Sequence, residues 1–133
     1  IDEVARTMGA RLMGKRRRSA NGGGERAKAE MAVVGETETN ADGTSRQAII
    51  AKLASGEDVE LVRERGNPRE PNAVRVVSRL GDIGLLARSD ADNLAPYLDS
   101  GGRVSASIAH IDGGTSTNAA FNVVVSVVAL GEG

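Results

Sequence analysis

The sequence contains no cysteine and no tryptophan, and only one histidine, one tyrosine and one phenylalanine among 133 residues. Without a thiol it has no disulfide framework, thiolate nucleophile, Cys-based zinc site or iron–sulfur cluster. A single histidine excludes every multi-His metal site, so neither a metal nor another cofactor is expected. With aromatics at 2% the core has to be aliphatic, built from Val, Ile, Leu and Ala. No apolar run approaches the ~20 residues of a membrane-spanning helix, and no signal-peptide pattern opens the sequence. The expectation is therefore a cytoplasmic protein without a membrane partner. Neither sign of charge dominates: 17 Lys+Arg against 18 Asp+Glu leave a formal net charge of −1. Composition alone supplies no general attraction to nucleic acid.

That balance hides an asymmetry. Residues 1–31 carry eight cations and four anions, and residues 32–133 carry nine cations and fourteen anions. The basic part opens with Ile1, Val4, Met8 and Leu12 at helical spacing, with Asp2 and Glu3 in the first turn where a helix dipole favours them, and Gly9 weakening the pattern. Lys15, Arg16, Arg17 and Arg18 follow, and then the linker-like Ala20-Asn-Gly-Gly-Gly24. Residues 1–30 read as a basic, Gly-rich arm or linker. Its four clustered cations suit non-specific phosphate contacts, and a solvated tail explains them as well.

From residue 31 the texture becomes β-like. Short apolar segments over 31–35, 59–64, 73–77, 82–86, 104–111 and 121–130 read as strands, separated by turn signals such as Asp42-Gly43 and Asp112-Gly-Gly114. Ser45 caps an expected helix over 46–54, and Ser89 or Asp90 a second through 98, with Ala91, Leu94, Ala95 and Leu98 inward and Pro96 late. Alternation in the fifth strand puts Val104, Ala106, Ile108 and His110 on one face. The fold class expected is mainly β: a small OB-like barrel of about six strands with two short helices, over residues 31–130, with 131–133 as a tail.

Val33-Val-Gly-Glu36, Val59-Glu-Leu-Val-Arg-Glu64, Asn67-Pro-Arg-Glu-Pro-Asn-Ala-Val74 and Ile83-Gly-Leu-Leu-Ala-Arg88 together resemble HIRAN domains. The resemblance covers about residues 31–130. It implies an OB-like barrel of the kind found in helicases of replication-fork repair and in stand-alone bacterial and phage proteins, binding single-stranded DNA at its 3′ end. A helicase or nuclease would then be a fitting protein partner, and nucleoid association would follow. On the residues alone, the same signature reads as architecture: Pro68 and Pro71 stiffen a turn, Asn67 and Asn72 cap its amides, and Gly84 admits a neighbouring chain.

Carried over by position, Arg88 matches a basic site on the DNA backbone and Phe121 an aromatic on which a base stacks. Within the Asn-Pro motif the family's Tyr-Asp pair is Arg69-Glu70 here, so a ring is replaced by a guanidinium and the acid is kept. The pair after Val-Val-Gly-x is Thr37-Glu38 without a gap. Alternatively, Ser45-Arg46-Gln47 matches after an eight-residue insertion, with Arg46 at the aromatic position. Phe121 and Arg88 are expected on one rim, the ring under a terminal base and the guanidinium on its phosphate. The candidate DNA site is thus Arg46, Arg69, Glu70, Arg88 and Phe121.

Catalytic chemistry is thin. His110 and Asp112 share a strand face while Ser107 lies on the other, so they do not form a triad. Gly113-Gly-Thr-Ser-Thr117 lacks the lysine and helix of a P-loop. Asp58, Glu60 and Glu64 read as a solvated strand face. A binding module rather than an enzyme is expected. The alternative is a protein-interaction or regulatory module on the same barrel with a degenerate DNA pocket, which Glu36, Glu38 and the acidic excess beyond residue 31 favour.

Overall fold

A computed structural model describes residues 28–132. The basic cluster at 15–18 and the amphipathic pattern at 1–13 lie outside the described residues. Six strands, β1 (Lys28–Val34), β2 (Asp58–Arg63), β3 (Val74–Ser78), β4 (Gly81–Leu86), β5 (Gly102–Asp112) and β6 (Asn122–Glu132), close an antiparallel barrel in the order β1-β4-β3-β2-β5-β6. Two helices, α1 (Arg46–Ile50) and α2 (Arg88–Asp99), complete the elements. The first strand begins at Lys28 rather than at residue 31. Ala29, within the expected arm, is fully buried and pairs with Val127. Neither helix is long and apolar enough to cross a membrane.

The core is aliphatic, as a chain so poor in aromatics requires. Alternate residues of β1 (Ala29, Met31, Val33) and β6 (Val123, Val125, Val127, Ala129) point inward against Val74, Val76, Ile83 and Ile108. Strict alternation fails in β5. A register shift between Ile108 and His110 inserts an extra residue, so His110 turns outward and Ile111 packs against the core. Gly84 marks the closest approach between β1 and β4: at φ +145°, a Cβ there would lie 2.5 Å from the Val34 carbonyl oxygen.

Each helix sits near one end of the barrel. Ser45 caps α1 by accepting the Ala48 N–H at 3.1 Å, and Ile49 and Ile50 are buried beside β4. This helix is shorter than expected. It gives way after Ile50 to tight turns in which Lys52 and Leu53 donate to Ile49 and Ile50, and these keep Leu53 at the core. At the other end α2 starts directly after Ala87, so Asp90 is a buried residue of its first turn and not its cap. The helix runs past Pro96 to Asp99, bringing in Tyr97, whose ring is 2% exposed. The Tyr97 hydroxyl donates to the Arg103 carbonyl (3.1 Å) and accepts the Gly131 N–H (2.7 Å), tying the start of β5 to the end of β6.

The same end is fastened by charge. Arg63, closing β2, donates Nε and Nη2 to the Asp99 carboxylate at 3.0 and 3.1 Å, and Arg65 adds a contact at 2.9 Å. Arg63 foremost, with Arg65, holds the Asp99 carboxyl below its ordinary value of 3.8. A carboxylate with a depressed folded pKa contributes stability above its unfolded pKa and loses it as pH falls through the folded one. Thermal stability should therefore drop below about pH 4, and Asp99→Asn should shrink that acid-dependent drop in a melting-temperature series.

Candidate nucleic-acid interface

The excursion from Gly35 to Ser45 closes on itself. Asn40 binds back to Thr44, Thr39 bridges Ser45, and Arg46 returns beside the end of β1. Arg46 donates Nη1 to the Gly35 carbonyl (2.9 Å) and Nε to Asn40 Oδ1 (2.7 Å), with Glu38 at 3.9 Å. Its side chain is only 15% exposed, and it organises the loop. Asn40 in turn anchors the loop to the Asp82 carbonyl on β4.

Gln47, which the sequence offered only as the end of the Ser45-Arg46-Gln47 match, is a positioning residue. Its Nε2 donates to the carbonyls of Glu36 and Phe121, both at 3.0 Å, and its Oε1 accepts the Phe121 N–H at 2.7 Å. The side-chain amide thereby stands in for a strand where β1 and β6 separate. Its sequence signal was its place in the Ser45-Arg46-Gln47 match, directly after the cap of α1.

Phe121 is thus held by its backbone, while its ring is half-buried and packs against the core. It lies over Gly114, where a Cβ would come within 2.6 Å of the ring's Cε1. Only glycine at 114, at φ +77°, leaves that room.

Glu70, Arg69 and Arg88 form a second group at the α2 end. Asn67 Oδ1 accepts the amides of Arg69 (2.9 Å) and Glu70 (3.0 Å), shaping the double-proline turn as its Asx chemistry requires. Asn72 reaches Asp92 of α2 at 3.1 Å, and Glu70 lies 3.9 Å from Arg88 at the start of that helix.

Phe121 and Arg88 stand on different elements: Phe121 leads into β6 beside the start of α1, and Arg88 opens α2. Both are referred to Ala32 of β1, which pairs with Val124 and accepts the Ala87 N–H. From that row Phe121 lies three residues toward one end of the barrel and Arg88 one residue toward the other. Between them runs the outer face of β1 and β4, carrying Ala32, Leu85 and Val34, the last 42% exposed.

The remaining guanidiniums sort by what they already hold. Arg63 and Arg65 are engaged with Asp99, Arg75 with Asp82 at 2.9 Å, and Arg79 with Glu57 at 2.7 Å. The Arg79 contact holds the Glu57 carboxyl below its ordinary range. Among the described residues, Arg69 and Arg103 bind nothing through their side chains, and Arg88, 67% exposed, has only the distant Glu70. His110 and Asp112 do meet, at 3.7 Å on the surface of β5. No group of three His, Asp or Glu side chains is arranged to hold a metal among the described residues.

The HIRAN domain family model matches residues 34–128. The chain belongs to the HIRAN family. Its fold is similar to the crystal structure of the HIRAN domain of human HLTF, at 21% identity over 79% of this chain and 76% of that one, with a TM-score of 0.58. It is also similar to the crystal structure of a Lactobacillus plantarum protein, at 23% identity over 79% of this chain and 99% of that one, with a TM-score of 0.60. No curated protein matches. HIRAN membership supports a DNA-binding module in general and a binding rather than a catalytic role.

Proposed function

We propose that this HIRAN domain recognises single-stranded DNA, at or near a 3′ end, in a replication or repair setting beside a helicase or nuclease. The observation that carries this reading is the pair of exposed guanidiniums, Arg69 and Arg88, flanking Glu70 where the Asn-Pro turn meets α2. Arg69, which no carboxylate engages among the described residues, and the exposed Arg88, 3.9 Å from Glu70, offer charge to a phosphate backbone, and the Glu70 carboxylate can accept a hydrogen bond from a terminal hydroxyl. From there a strand would run along the outer face of β1, over Val34, to the Phe121 ring. A few nucleotides cover such a path, within the footprint of an OB-type barrel. Arg46 supports the site by holding the loop rather than by touching the ligand, and Lys15 to Arg18 would add non-specific phosphate contacts.

The test is binding of single-stranded oligonucleotides to the full chain across a salt series. Arg69→Ala and Arg88→Ala should each weaken binding and reduce the slope of log K against log salt by about 0.7. A 3′-blocked oligonucleotide should bind less tightly than one with a free 3′-hydroxyl, and Glu70→Gln should narrow that difference. Unchanged slopes in both arginine variants would remove the site.

The second reading, a protein-interaction module, draws on the acidic excess beyond residue 31 and the exposed Glu38 close to the pocket loop. It predicts no measurable affinity for single strands at physiological salt.

A further inference from the structure

The barrel wall is incomplete between β2 and β5. The two strands pair only at Asp58–Ser107 and Val59–Ala106. Beyond that they enclose a cavity of about 510 Å³ at the α2 end. Its floor is apolar and half-buried: Val59 and Leu61 from β2, Val104 from β5, Leu98 from α2 and Leu130 from β6. Its two lips differ in charge. Asp58 and Glu60 line the β2 side and Arg103 the β5 side, and none of these three side chains is engaged by another among the described residues.

We propose that this cleft is the docking site of the chain's own N-terminal arm, residues 1–18. Register supplies the first argument. Lys28 pairs with Val128, and Val128 pairs with Ser105, so the point where the arm joins the barrel and the lip of the cleft share one row across three adjacent strands. At ~4.8 Å per strand that separation is about 10 Å. The nine residues from Ser19 to Ala27 can span up to ~30 Å, so the chain is long enough to bridge that distance.

Complementarity supplies the second argument. The arm offers Ile1, Val4, Met8 and Leu12 at one spacing, preceded by Asp2 and Glu3 and followed by Lys15 to Arg18. The apolar stripe matches the floor, the basic run the Asp58–Glu60 lip, and the acidic start Arg103. Docked in this way, the basic cluster is held against carboxylates at the α2 end and away from phosphate. The proposal does not depend on the DNA reading.

The absence of cysteine makes the test clean, because Thr7→Cys introduces a unique attachment point for a nitroxide label. In the full chain without DNA, the methyl signals of Val59, Leu61, Leu98, Val104 and Leu130 should lose most of their intensity, while Val34 and Leu85 near the other end keep theirs. Adding Asp58→Lys and Glu60→Lys, both on exposed side chains, should restore the cleft signals with the fold unchanged. Even or absent broadening would overturn the proposal. So would broadening that appears only when labelled chains are mixed with isotope-labelled ones, because the arm would then belong to a second copy.

Discussion

Tyr97→Ala is expected to destabilise the barrel by about 3–5 kcal/mol, because the site loses a buried ring and cannot collapse around the gap. In a domain of this size that corresponds to a fall in melting temperature on the order of 10–25 °C. The ring fills the α2 end so closely that a Cβ on Gly102 would lie 2.5 Å from it. Tyr97→Phe separates the two contributions. It keeps the ring but leaves the Gly131 N–H and the Arg103 carbonyl without their shared partner, a loss of about 1–3 kcal/mol. Thermal unfolding of both variants checks this. A loss below about 1 kcal/mol for alanine would mean that the ring does not close the barrel.

At the opposite end, Phe121→Leu and Phe121→Ala should divide the ring's two roles. Alanine removes a half-buried side chain packed over Gly114, and it should cost about 3 kcal/mol of stability. Leucine keeps comparable bulk, with a cost under about 1.5 kcal/mol, yet it removes the aromatic face. If a base stacks there, single-strand affinity of the leucine variant should fall by ~1–3 kcal/mol, roughly 5- to 150-fold, whatever the sequence. Wild-type affinity in Phe121→Leu would make the ring part of the barrel wall alone. Stability and affinity measured on the same preparations decide between them.

The contrast between these two aromatics reflects how residues become legible. Phe121 was visible as the one phenylalanine in an aliphatic chain, on a strand whose period announced its inward neighbours. Tyr97 was not, because the inward stripe of Ala91, Leu94, Ala95 and Leu98 left it out, and its importance comes from backbone groups of Arg103 and Gly131. Likewise, Gln47 carries no local signal for its three hydrogen bonds, which exist only because β1 and β6 part beside the start of α1. The extra residue in β5 is equally silent in sequence, so alternation assigned His110 to the wrong face.

What the sequence determined by itself was therefore local or statistical: the six strands, the two helices and their approximate ends, the aliphatic core, and the HIRAN signature with its Asx-capped turn. Periodicity, turn chemistry and capping act within a few residues, so they survive in a linear reading. The tertiary structure alone decided which arginines are committed to Asp82, Asp99 or Glu57, that Arg46 props a loop, and that Gln47 holds the backbone of Phe121. Those outcomes depend on register and barrel closure, which bring together residues such as Arg63 and Asp99, or Gln47 and Phe121, that no local pattern connects.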